Sequence, residues 1–272
     1  ETPKMDWAGV VTLGIAFLAI YLAIDEIGAL AEANWGLVAI LVVIAVVFFV
    51  IFWNIESRKK DPMVTTHYLK QRRTWGLLLT TLLTMTGVFA IMNGVVPAIA
   101  QDPAMGVDMK PDMVSFATLT PYALLGLCFG PVAGVLASKF GYRSVLRAGL
   151  IVSIAGVLFG IFLSNNASIP SLVIISVVLG IAYAGTANIM LNGLGIVLSP
   201  EDNPGYLPGM NAGAFNLGAG LSFAVLYAVM DAFAMNGAQI GYSAAMIAAA
   251  VLLGAALLVS LFIPKPSDAD NS

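Results

Sequence analysis

The sequence predicts an all-α, polytopic membrane protein, and three observations carry that prediction. The chain of 272 residues is 60% hydrophobic and only 10% charged, where a soluble domain carries about a quarter charged residues. Its mean hydropathy is +0.94. Eight apolar stretches are long enough to cross a hydrocarbon core of about 30 Å, which takes roughly 20 helical residues. They are 7–24, 35–54, 75–98, 113–137, 144–163, 170–197, 206–231 and 240–263.

Eight crossings bring both ends to one side. Lys4, Arg58, Lys59, Lys60, Lys70, Arg72, Arg73, Lys139, Arg143, Arg147 and Lys265 fall there, eleven of the twelve basic residues. Lys110 stands alone opposite, among Asp25, Glu26, Glu32, Asp102, Asp108, Asp112 and Asp231. Lys and Arg are retained on the cytoplasmic side, so both termini are expected in the cytoplasm, with the chain in the plasma (inner) membrane. The lipid bilayer is thus the first expected partner. A net charge of −3 gives no basic surface for nucleic acid. Cys128 and His67 are each single in the chain, so no His/Cys metal cluster or triad is expected, and no cofactor. No acid/base pair lies within the spans, and an enzyme is not expected. Cys128 is expected to pack as a small apolar side chain.

Taken in order, residues 1–54 predict a transmembrane hairpin with few small-residue faces and a lipid-facing, Val/Ile/Phe-rich second span. Glu1 and Asp6 outweigh Lys4, which argues against a signal peptide; a chain opening on Glu1 is expected to be processed or a piece of a longer one. Residues 55–74 predict a basic cytoplasmic linker with an interfacial helix, stopped from continuing the second span by Pro62. Residues 75–263 hold six spans, and 264–272 a cytoplasmic tail. Trp7, Trp35, Trp53 and Trp75 sit at span ends, where the ring prefers the headgroup zone.

Polarity is uneven over the six spans. The third carries Thr80, Thr81, Thr84, Thr86 and Asn93; the fourth Ser115, Thr118, Thr120 and Tyr122; the sixth Tyr183, Thr186, Asn188 and Asn192; the seventh Asn211, Asn216, Ser222 and Tyr227. The fifth and eighth are almost wholly apolar. An amide in hydrocarbon must find a partner, so the four polar spans are expected to surround a hollow, braced by the other two. Asn93, Tyr183, Asn188, Asn192, Asn211 and Asn216 are the candidates to line it. Asn188 and Asn192, at i and i+4, share a face. Each Asn has an alternative role, bonding across a helix interface. Gly126, Gly130 and Gly134, and Gly205, Gly209 and Gly213, recur every fourth residue, a spacing that lets helices approach closely. No ionisable residue sits near the middle of a span, so a titratable coupling group is expected elsewhere.

Between the fourth and fifth spans, Gly134, Leu136, Ala137, Lys139, Gly141 and Arg143 resemble a loop signature of the major facilitator superfamily of transporters. Ser138 stands where that pattern has its acid, and Tyr142 at an often basic position. The pairing of Asp6-Trp7 with Asn34-Trp35-Gly36 around an acidic turn resembles the two extra central helices of the family's fourteen-span, drug/proton antiporter branch. The resemblance implies a six-helix C-terminal half preceded by a two-helix hairpin. It implies a missing N-terminal six-helix half as partner, and export of small amphipathic molecules by alternating access, proton-coupled through an acid in that half. Export or facilitated passage of another small solute (sugar, amino acid, lipid) and a non-transporting membrane scaffold are the alternatives.

Overall fold

The computed structural model describes residues 7–27, 34–58 and 66–267. Parts of the sequence reading fall outside them, at Lys4, Asp6, Glu32, Lys59, Lys60, Pro62 and the last residues of the tail. Eight long helices follow one another: α1 Trp7–Ile27, α2 Trp35–Arg58, α3 Arg72–Gln101, α4 Pro111–Phe140, α5 Tyr142–Asn165, α6 Ile169–Val197, α7 Tyr206–Ala232 and α8 Ala238–Ser260. Seven are long and apolar enough to cross a membrane; in α1 the apolar part is the shorter Trp7–Ala23.

Helix ends follow local chemistry. Asn34 caps α2 by accepting the Leu37 amide at 3.1 Å, and its own amide donates to Glu26 at 2.8 Å. Ser168 and Ser171 form a reciprocal capping box that starts α6. Pro111 sits in the first turn of α4, where a missing N–H costs nothing. Gly141 separates α4 from α5 at φ +88°, a backbone that excludes most side chains.

The chain divides into two units, residues 1–71 and 72–272. In the first, α1 and α2 pack together. Thr12, Ala16, Ala19 and Ala23 are buried, with Val38, Ala45 and Phe52 of α2. This small-residue face was not expected from the sequence, because alanines scattered among larger apolar residues form a stripe only once helical phase is applied. Elsewhere α2 exposes its Val and Phe side chains. The helix expected in the linker is a single turn, Thr66–Leu69, and the Lys70 ammonium lies 5.8 Å over the Trp53 ring.

In the second unit α7 packs on α3, and α4 on α6, while α8 lies behind α3 and α5 behind α6. The apolar spans therefore brace the polar ones. The pairing is also symmetric: exchanging the first three helices of the unit with the last three preserves it, as in folds built from three-helix repeats. α3 and α6 are the most buried, α4 and α7 the least.

Close approach depends on particular glycines. A Cβ on Gly180 would sit 2.5 Å from the Tyr122 carbonyl oxygen, and one on Gly185 2.9 Å from that of Gly126. A Cβ on Gly218 would meet Met85 and Leu82 at 2.9 and 3.0 Å, and one on Gly160 Met246 at 2.8 Å. Of the two expected stripes, Gly126 alone is pressed, against Ala184; Gly130, Gly134, Gly205, Gly209 and Gly213 meet nothing within 4 Å. Their regular spacing marks a smooth exposed face, whereas the buried contacts use irregularly spaced glycines. The threonines of α3 also depart from the cavity expectation. Thr80, Thr81, Thr84 and Thr86 are buried, and Thr80 and Thr86 donate back to the carbonyls of Gly76 and Leu82, both at 2.7 Å.

Gly180→Ala is expected to lower thermal stability in detergent, since overpacking against backbone costs about 1–3 kcal/mol. Gly213→Ala, in open space, is expected to leave it unchanged or slightly raised. Equal melting temperatures for the two variants would contradict this packing.

Candidate functional site

Two wide turns interrupt the central helices. In α3, Ile91–Val95 is π-helical, and the Val96 amide donates to the Ile91 carbonyl. In α6, Gly180–Ala187 is π-helical, and the Asn188 amide donates to the Tyr183 carbonyl. Both bonds span five residues, an insertion common where helices carry function. The turns occupy equivalent places in the two triplets and hold or adjoin Asn93, Tyr183 and Asn188.

The six candidates separate into two groups. Tyr183 and Asn211 serve the interior. Tyr183 is 5% exposed, and its hydroxyl donates to the Met85 sulfur at 3.1 Å. Asn211, 2% exposed, accepts from the Thr81 hydroxyl at 2.6 Å and donates to the Leu191 carbonyl at 3.1 Å. That amide ties α3, α6 and α7 together, so it is the interhelical bond left open as an alternative. Asn93, Asn188, Asn192 and Asn216 keep surface instead. The Asn192 amide donates to the Asn188 carbonyl at 2.8 Å and to its side-chain oxygen at 3.2 Å. Asn93 is half-buried and Asn216 exposed. Neither side chain has a hydrogen-bond partner among the described residues.

A ladder of rings runs along α3 and α7, the helices that carry Asn93 and Asn216. Phe89 meets Phe223 edge-on, centroids 5.4 Å apart, and Phe223 stacks on Tyr227 at 6.4 Å. On α7, Asn216, Gly220, Phe223 and Tyr227 follow i, i+4, i+7 and i+11 and so share one stripe. Val225 and Val229, on another flank, share a small void with Ala245 and Ala249 of α8. The stripe therefore faces away from the bracing helix. The sequence reading missed this ladder, because Phe89 and Phe223 become neighbours only through the α3–α7 packing. The period of α7 was the available signal.

Within the unit the polar spans form an open row and not a closed ring. The expected enclosed hollow is absent among the described residues, because α4 and α7 are the end members of the row. A cavity of about 460 Å³ lies instead among α4, α5 and α6 and is apolar, with Phe129, Leu136, Phe140, Val152 and Ile181 in its walls. Cys128 differs from expectation as well: it is exposed, on the uncovered face of α4.

The residues of the α4–α5 loop signature have structural partners. Arg143 donates to the Ile263 carbonyl at 3.2 Å, and Arg147 to that of Ser260 at 3.1 Å. Both cations thus meet carbonyls at the C-terminal end of α8 and in the turn just past it. Ser138, where the signature has an acid, donates to the Val135 carbonyl at 2.7 Å. Lys139 is exposed. The ring of Tyr142, at the often basic position of the signature, fills the space left by Gly193.

On the opposite side Asp102 fastens the α3–α4 loop. Its carboxylate accepts the Ala104 and Met105 amides at 2.9 and 3.0 Å and the Tyr242 hydroxyl of α8 at 2.7 Å. The Met105 amide first, then the Tyr242 hydroxyl, hold its pKa below the ordinary value of 3.8.

The sequence pattern of the Major Facilitator Superfamily matches residues 7–222 and, again, 77–272. A "Uridine/deoxyuridine transporter" of Lactococcus lactis subsp. cremoris is 53% identical over 98% of this chain and 57% of its own length. "Multidrug resistance protein 3" of Bacillus subtilis is 22% identical over 57% of this chain and 29% of its own. The chain therefore spans little more than half the length of the Lactococcus protein.

The Asp102 latch has a pH signature. A carboxylate with a depressed folded pKa stabilises above its unfolded pKa and loses that contribution as pH falls through the folded one. The protection factors of the Ala104 and Met105 amides, taken relative to their intrinsic exchange at each pH, are expected to be high at neutral pH and to fall below about pH 4. In Asp102→Asn the same amides are expected to show no such step.

Proposed function

The chain belongs to the Major Facilitator Superfamily, and on that premise we propose that it forms one wall of a membrane path for a small polar solute of nucleoside type. A complementary six-helix half completes the path. The observation that carries this is the open face of α3, α6 and α7, where Asn93 and Asn216 stand without partners and Asn188 and Asn192 are only partly engaged. Amides of this kind offer both donors and acceptors, matching a solute rich in hydroxyls and ring carbonyls. An amide exposed to hydrocarbon alone is costly, which favours a wet path over lipid at this face.

The identity of 53% to the uridine/deoxyuridine transporter supports the polar-solute reading. Export of amphipathic drugs has weaker support, from the match at 22% over 57% of the chain. In this proposal α3 and α6 are the rigid centre, α5 and α8 brace them, and alternating access moves the unit as a body against its partner. The Arg143 and Arg147 contacts keep α8 attached to α5 during that movement. Coupling, if to protons, uses an acid outside the middle of α3–α8. Among the described residues that region holds no Asp, Glu, Lys, Arg or His.

A chimera joining the uncovered part of the Lactococcus protein to this chain tests the proposal. Expressed in cells lacking nucleoside uptake, it is expected to accumulate labelled uridine, while this chain alone is expected not to. Membrane-inserted chimera with uptake no higher than vector cells would refute the nucleoside reading.

A further inference from the structure

We propose that the aromatic ladder of Phe89, Phe223 and Tyr227 receives the flat ring of the solute, while Asn216, two turns nearer the cytoplasmic end of α7, receives its sugar. The inference rests on the nucleoside reading and assigns the parts of that solute to residues.

Four observations carry it. Tyr227 is 60% exposed, so one end of the ladder is uncovered. Phe223, half-buried, is held from one side by the edge of Phe89 at 5.4 Å, which fixes its plane without covering all of it. Between Asn216 and Phe223 lies Gly220, where an added side chain would meet nothing within 4 Å. The stripe therefore has an aromatic end, a bare middle and an amide end. Seven helical residues separate Phe223 from Asn216, about 10.5 Å along the axis, a reach suited to a ring joined to a pentose. Finally, Gly94, in the π-turn of α3, gives its space to Leu226. That contact seats α7 against α3 at the level of the rings and brings Asn93 to the same height. Asn93, without a partner, is placed to meet the polar edge of a ring stacked on the ladder.

The chemistry distinguishes this use from interfacial anchoring. Aromatic side chains in a headgroup belt stabilise position in the membrane but do not discriminate among solutes. A stacking platform does, because base–aromatic stacking is lost with the ring.

The test uses the chimera described above. Phe223→Leu and Tyr227→Leu are each expected to raise the KM for uridine about 5- to 100-fold and to abolish competition by free uracil. Uptake rate at saturation, per molecule in the membrane, is expected to change little. Asn216→Ala is expected to weaken competition by ribose and leave that by uracil in place. A readout that leaves the ladder intact is Gly220→Cys in a Cys128→Ala background, where saturating uridine is expected to slow maleimide labelling. Unchanged KM and unchanged uracil competition in the two Leu variants, or labelling indifferent to uridine, would overturn the assignment while wild-type uptake left the nucleoside reading standing. Absence of uridine uptake by the unmodified chimera would remove both.

Discussion

The six-helix unit depends on backbone-distance contact at the two central helices. α3 and α6 are buried because glycines let their neighbours approach beyond what any side chain permits, α4 at Gly180 and Gly185, α7 at Gly94 and Gly218. Lipid tails are as apolar as leucine, so association in the bilayer comes from such packing and from hydrogen bonds between helices. The Asn211 amide adds that second element by joining three helices at one point. A buried amide without those partners would be costly, so the bond fixes the relative height of α3, α6 and α7 as well as holding them.

This seam makes the rest of the surface intelligible. Helices pressed at one side leave the other free: α4 carries the exposed Cys128, and α7 carries open glycines and the stripe of Asn216, Phe223 and Tyr227. The two ends of the unit are secured by different chemistry. Arginines of α5 engage carbonyls at and just past the end of α8 on the basic side, and a carboxylate of the α3–α4 loop engages Tyr242 near the start of α8 on the acidic side. A body tied at both ends by its bracing helix can move as one piece, which is what the alternating access proposed above requires.

Much of the fold was legible in the sequence because the bilayer permits few solutions. Backbone groups must be satisfied within each segment, so length and hydropathy sufficed to place α2 through α8 within a few residues. The bracing roles of α5 and α8 followed from their lack of polar side chains. The site was less legible. Thr80 and Thr86 looked like cavity residues but satisfy their own helix, a choice made by rotamer and not by composition. Asn211 and Asn216 are the same residue type five positions apart, and only their phase against α3 makes one a tie and the other a free amide. Gly209 and Gly213 mimic a packing motif, yet a regular stripe records a flat face and says nothing of what lies against it. The Phe89–Phe223 pair depends on a contact between residues 134 positions apart, for which a single sequence holds no signal.

The wide turns bear on how these helices are counted. Each residue advances an α-helix by about 100°, and one extra residue in a turn puts the two ends of the rod out of phase by that amount. The upper and lower parts of α6 consequently belong to different azimuths: Ala182 looks toward Gly149, while beyond the insertion Asn188 and Asn192 turn outward. Losing one residue between Gly180 and Ala187 would leave the rod straight and continuous, yet would aim its whole lower portion at the wrong neighbour.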